Sequence, residues 1–217
     1  MLAAVSLAGR HLANSLFPVS CVFCGTRQSS QVPVCDGCLD DLPWTAARQQ
    51  PVSPLSTVVT PLEYAFPVDA AIKAMKFRRR LYYGPAFGHL LMMSFVELPE
   101  DIDALLPMPL HWRRHAMRGF NQAAEIARVI RVATGLPLVT RVIRRRRTPY
   151  QSGLTASQRQ RNLESAFLAK DAVSYRHVLI IDDVITTGET CRQLAVVLLD
   201  AGVERVSALA IARALRD

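Results

Sequence analysis

The chain reads as an α/β protein, a parallel sheet flanked by helices, with a small zinc-ribbon-like module at its N-terminus. Three observations predict this. Residues 178–181, VLII, are short, apolar and unalternated, as in a parallel strand buried on both faces. A helix-length segment and a second apolar run, VSALAIA, follow, which makes a βαβ unit. Four cysteines, Cys21, Cys24, Cys35 and Cys38, form two Cys-x2-Cys hooks.

At 217 residues and 24.1 kDa the chain has room for one main domain and a small appendage. The expected division is residues 1–45, a metal-binding module with an N-terminal helix, and 46–217, the main domain. Half the residues are apolar and a fifth charged, which leaves little room for long disordered tails.

The opening segment, MLAAVSLAGRHLANSLF, has no basic cluster before its apolar stretch, and Arg10 and His11 interrupt it well short of a membrane span. No later segment supplies a transmembrane run either, so a cytoplasmic protein with reduced thiols is expected. In that setting the two hooks read as a closed, structural four-thiolate site, with Gly25 and Gly37 available for tight turns. Zinc is the favoured ion; iron and disulfides are the alternatives. Cys191 reads as a small packed residue.

After Pro43 and Trp44, the stretch QQPVSPLS at 49–56 has no period and reads as a linker. Residues 57–64 predict a short strand with an edge proline, and 68–96 carry helical periodicity broken near Gly84 and Pro85. Within that segment Lys73, Lys76, Arg78, Arg79 and Arg80 either line a phosphate entrance or form a solvated face. Residues 104–106 then predict a buried strand that stops at a tight turn, Pro107, Met108 and Pro109, facing a ligand crevice. Asn121 is a candidate cap for a helix over about 122–133, ended by Gly135 and Pro137, and LVTRVI at 138–143 reads as the next strand.

Charge is unevenly placed. Residues 104–163 hold 12 of the 26 basic residues and one of the 18 acidic ones, Glu125, so this block carries +11 and the remainder −3. One face is therefore expected to meet phosphate, as nucleic acid or as a phosphorylated small molecule; a basic solvated surface is the bland alternative.

The strand at 178–181 delivers Asp182 and Asp183 to the sheet's carboxyl edge, and TTGET at 186–190 follows before a helix of about 190–201. Gly188 and the threonines allow successive amides to point inward, and the helix start adds partial positive charge, making a nest for phosphate. Hydroxyls of Thr186, Thr187 and Thr190 add donors. Two adjacent carboxylates are wrong for phosphate but suited to the paired hydroxyls of a ribose. A Walker-type ATPase is disfavoured because no Gly-Lys dipeptide exists to supply its phosphate loop.

Residues 178–190, VLIIDDVITTGET, resemble the signature of type I phosphoribosyltransferases. More narrowly the chain is similar to the ComF/GntX family, bacterial proteins connected with competence and use of external DNA. That likeness runs through Phe17 and Pro18, PMPLHWRR at 107–114, RGFNQA at 118–123 and TPYQSGLTASQRQRNLESAF at 148–167. Glu189 departs from the pattern, since related loops often carry a small residue there; it is expected to point outward. A second metal site, supplied by extra cysteines in some members, has no counterpart.

The resemblance implies binding of phosphoribosyl pyrophosphate (PRPP), or a related sugar phosphate, with Mg²⁺. It also implies displacement of pyrophosphate through an oxocarbenium-like state, driven by positioning and charge stabilisation. Asp182 and Asp183 would hold the ribose as catalytic residues, with Thr186, Thr187, Gly188, Glu189 and Thr190 around the 5′-phosphate. The turn of Pro107, Met108, Pro109 and His111 would approach the pyrophosphate, under an arginine-rich lid at 144–161 that includes Arg146, Arg147, Arg159 and Arg161. An alternative is a non-catalytic sensor of PRPP or a nucleotide that contacts single-stranded DNA and partners in the DNA-uptake machinery. The acceptor is not legible.

Overall fold

The computed structural model describes residues 19–28, 32–45, 48–49, 53–140, 142–144 and 166–214. Its central sheet runs in the order β3 (Arg48–Gln49), β4 (Thr57–Val59), β10 (Arg205–Arg213), β9 (His177–Ile185), β6 (Ala104–Pro107), with β5 (Leu62–Glu63) also on β10. Every pairing in it is parallel except β3 with β4. β4 and β5 lie along the same edge of β10, interrupted at Thr60 and Pro61, where proline has no N–H for the ladder. β4 is fully buried and paired with β3, and buried Leu62 of β5 is bridged by Trp44 while Glu63 is exposed, so the segment is not the edge strand that its proline suggested.

Side chains alternate across a strand, and β9 is apolar on both sides, so it needs cover on both. Leu179 and Ile181 join Leu105, Leu209 and Ile211 in one buried cluster, whereas Val178 and Ile180 join Ala104, Leu106, Ala208 and Ala210 in another. The first is closed by α2 (Val68–Arg78), α3 (Tyr83–Met93) and α5 (Gln122–Thr134), through Ile72, Met75, Phe87, Leu90, Ile126 and Ile130. The second is closed by α6 (Glu189–Asp200), through Cys191, Leu194, Ala195 and Leu198, with the antiparallel pair β7 (Val142–Arg144) and β8 (Phe167–Ala169).

The break in the 68–96 helical region falls at residues 79–82, not at Gly84 and Pro85. Arg79 takes a left-handed conformation at φ 53° and ends α2, while Pro85 sits in the first turn of α3, where it disrupts no helical bond. Gly84 and Gly88 instead permit close packing. A β-carbon at Gly88 would fall 2.5 Å from Val129 Cβ, so α3 crosses α5 at a distance that only glycine allows. Residues 138–143 are likewise not one strand of the main sheet: Leu138 forms a single parallel bridge to Leu105, and β7 starts at Val142 and pairs with β8.

The N-terminal segment holds β1 (Val19–Ser20), β2 (Arg27–Gln28) and α1 (Asp36–Asp40). Cys21, Val34 and Leu42 are buried in the same cluster as Val59, Leu62, Val68 and Ile72. Backbone bonds from Glu63 N to Pro43 O and from Thr45 N to Pro61 O, each 2.9 Å, tie this segment to β5.

Candidate functional site

β6 and β9 end unequally, and this creates the site. Pro107 pairs with Ile181, and Met108 N donates to Ile181 O at 2.8 Å, after which the chain leaves the sheet. β9 continues to Ile185, paired only with β10 on its other side. Asp182 and Asp183 therefore stand inside β9 but beyond the end of β6, rather than after the strand as VLII alone implied.

The pleat sends the two carboxylates to opposite faces. Asp183 follows Ile181 toward α2, where its Oδ1 lies 2.8 Å from Lys76 Nζ with both side chains largely buried. Asp182 follows Ile180 toward α6, and its charge helps to hold the Cys191 thiol protonated, after burial as the main cause. Asp182 Oδ1 also accepts from Asp183 N at 2.8 Å.

The following loop folds into the α6 N-terminus. Gly188 has φ 75° and ψ −2°, a left-handed conformation that a side chain would strain, and its carbonyl accepts the first helical bond, from Arg192 N at 2.9 Å. Glu189 N donates to Thr187 Oγ1 at 3.4 Å. Asp182, Thr186, Gly188, Glu189, Thr190 and Cys191 surround a small cavity of about 40 Å³. The Glu189 carboxylate is directed along the helix: Arg192 donates to both its oxygens at 2.7 Å and Gln193 to one at 3.0 Å. The Arg192 bonds hold its pKa below the ordinary value, so an anion in the loop meets a neutralised pair rather than a bare carboxylate.

On the β6 side, Pro107, Met108 and Pro109 lead to His111, which is buried and caps α4 (Trp112–Arg118) by accepting from Arg113 N at 3.2 Å. Arg118 turns back over the Phe77 ring, 5.5 Å from its centroid; burial lowers its pKa, and Asp183 is near enough to oppose that. Arg79 Nη2 donates to Met117 O at 3.3 Å, so α2 and α4 meet beside the acid pair. Arg146, Arg147, Arg159 and Arg161 lie outside the described residues.

A second centre is at the N-terminus. The sulfurs of Cys21, Cys24, Cys35 and Cys38 all lie within 4.8 Å of one another, and those of Cys24 and Cys35 are 3.6 Å apart. Four thiolates about 2.3 Å from one tetrahedral ion would stand roughly 3.8 Å from each other, so the spacing fits a metal ion. Bonding to Thr26, first through its side chain and then its backbone, and to Cys35 pulls the Cys24 thiol down to about 6, whereas burial pushes Cys38 up. Such crowded sulfurs ionise together only around a cation.

Residues 116–216 match the Phosphoribosyl transferase domain. "Competence protein F" of Haemophilus influenzae is 29% identical over 89% of this chain and 84% of its own length. "DNA utilization protein YhgH" of Shigella flexneri is 32% identical over 90% of each. The chain belongs to the ComF/GntX family. A solved structure of the allosteric regulatory enzyme of purine biosynthesis aligns over 56% of this chain and 24% of that one, with TM-score 0.38 and 22% identity.

In this ComF/GntX chain a phosphoribosyltransferase-type domain thus carries the acid pair and loop at the open end of its sheet. The opposite end holds a network that the sequence reading missed. Fully buried His177 lies 2.9 Å from Ser207 Oγ through Nε2 and 3.0 Å from Asp101 Oδ1 through Nδ1, while Asp103 accepts from the amides of Arg176 and His177. The Ser207 hydroxyl has no exposed face, so the trio pins strands together and offers no nucleophile. Its partners are 30 and 76 residues from His177 along the chain, and no local pattern announces them. No described helix is long and apolar enough to cross a membrane.

Proposed function

We propose that this chain binds PRPP at the open end of β9 and is a phosphoribosyltransferase whose acceptor is undefined. The observation that carries the reading is the position of Asp182 and Asp183 beyond the end of β6, directly before a loop that turns at Gly188 into the start of α6. The 5′-phosphate lies against the first-turn amides of α6, which have no helical partners, and the hydroxyls of Thr186, Thr187 and Thr190. The ribose spans the end of β9, its hydroxyls donating to the two carboxylates, one on each face. Pro107, Met108, Pro109 and His111 border the pyrophosphate.

Mg²⁺ would enter with the sugar phosphate, held chiefly by the hard oxygens of its pyrophosphate and ribose, and would supply charge neutralisation there. The chain's own residues hold the sugar, orient C1 toward an acceptor and exclude water. The cysteine cluster holds structural zinc, as four closed thiolates favour.

Calorimetric titration of PRPP with Mg²⁺ into wild type and into Asp182→Asn/Asp183→Asn tests the reading. Binding by the wild type that the variant loses supports it, and absence of binding by the wild type overturns it. Pyrophosphate release in the presence of candidate bases then separates an enzyme from a sensor.

A second reading, contact with single-stranded DNA in competence or DNA use, is favoured by one surface. Phe77 and Trp112 are 72% and 63% exposed, with Arg118 and Arg113 over their respective rings at 5.5 and 5.2 Å. Exposed aromatics among arginines are the chemistry that stacks bases and tracks phosphates. Binding to an oligonucleotide that weakens steeply as salt rises supports this reading; no binding at low salt removes it.

A further inference from the structure

Lys76 lies outside the phosphate loop and outside the turn after β6, yet its ammonium forms an ion pair with the acid pair, 2.8 Å from Asp183 Oδ1. Asp183 is 7% exposed, and a carboxylate so buried must be paired or lose its charge. Lys76 is well placed to supply that pairing. It occupies the last turn of α2, where the helix end favours a cation, and residues 70–96 contain no acidic residue to draw it elsewhere.

Only three of the 26 basic residues are lysine, the others being Lys73 and Lys170. Arginine would bind a carboxylate in a fixed fork, whereas a lysine ammonium is a compact charge on a flexible stem that can be redirected by a rotamer change. Arg118, within electrostatic range of Asp183, leaves the carboxylate with positive charge nearby when Lys76 moves.

We propose that Lys76 exchanges partners on binding: it neutralises Asp183 in the free protein and turns to the pyrophosphoryl group of the bound sugar phosphate when the ribose hydroxyls occupy that carboxylate. The inference rests on the PRPP-binding reading above. The α2 face, on which Asp183 and Lys76 stand, is then the pyrophosphate side of the site, and the α6 face, on which Asp182 stands, is the 5′-phosphate side.

The test is calorimetric titration of PRPP, ribose 5-phosphate and inorganic pyrophosphate, each with Mg²⁺, into wild type, Lys76→Met and Lys76→Arg. Thermal unfolding of each variant monitors the fold. Loss of a charged hydrogen bond should weaken PRPP and pyrophosphate about ten- to hundredfold in Lys76→Met. Ribose 5-phosphate, which has no pyrophosphoryl group, should stay within about threefold of wild type or tighten, because Asp183 is released from its pair. Lys76→Arg should retain part of the PRPP affinity, and it carries the same comparison if Lys76→Met does not fold. PRPP affinity unchanged in both variants, or an equal loss for PRPP and ribose 5-phosphate, overturns the exchange and leaves Lys76 a structural counter-charge. Failure of the wild type to bind PRPP is a different result, which removes the underlying reading.

Discussion

Asn121 locks Met108 to the start of the next long helix. Its Nδ2 donates to Met108 O at 3.0 Å while its Oδ1 accepts from Ala123 N at 3.0 Å. One side chain thus caps α5 and fixes the turn that leaves β6 at the site. Asn121→Asp should keep the cap and lose the tie to Met108, whereas Asn121→Ala should lose both and cost about 1–2 kcal/mol. Urea unfolding measures the stability, and PRPP titration reports the turn. If the aspartate variant binds like wild type, the Met108 bond does not matter to the site.

Gly188→Ala should cost about 1–2 kcal/mol, since alanine must adopt φ 75°, and should weaken sugar-phosphate binding by displacing the amides of the loop. Urea unfolding and calorimetry on the same sample separate the two effects. Stability equal to wild type would mean that the loop relaxes into another turn.

Gly88→Ala should destabilise by about 1–3 kcal/mol through overpacking, because the new methyl falls on Val129. Val129→Ala in the same chain should restore part of the loss. An additive double mutant would place the strain elsewhere.

Burial holds His177 below its ordinary pKa, with Asp103 opposing, so the folded state keeps the ring neutral. An unfolded histidine titrates near ~6.5, so below that pH the unfolded state binds more protons. Stability contributed by His177 is present above about 6.5 and is lost as pH falls toward the folded value. Urea midpoints should decline from about pH 8 to about pH 5.5, less steeply in His177→Gln. Equal slopes would assign the decline to carboxylates.

If the four cysteines Cys21, Cys24, Cys35 and Cys38 hold an ion as proposed, removing it should lower the melting temperature of the whole protein by about 10 °C, taking roughly 4 kcal/mol of binding linkage. Thermal melts before and after chelation, with elemental analysis, check this and distinguish zinc from iron. An unchanged melt with the ion removed would make the cluster ornamental to stability.

Local chemistry was legible in the sequence and pairing over distance was not. VLII as a buried parallel strand, the cap at Asn121 and the closeness of the four cysteines each depend on neighbours within a few residues and are found where expected, although β9 runs on through the acid pair to Ile185. The helix break was misplaced because glycine and proline attract attention, whereas Arg79, which takes the left-handed turn, carries no such mark. LVTRVI has strand composition, but Leu138 and Val142 serve different partners, which only tertiary structure decides. Lys76 could be suspected from charge alone; that it meets Asp183 depends on the pleat of β9 and the direction of α2.

The shared core of Cys21, Val34 and Leu42 with Val59, Leu62 and Ile72 bears on how such a protein changes over generations. A module linked by a tether can be lost, duplicated or traded by one genetic event, and the remainder still folds. Here excision would uncover an oily face on the domain left behind, so a change on either side of that seam is felt on the other.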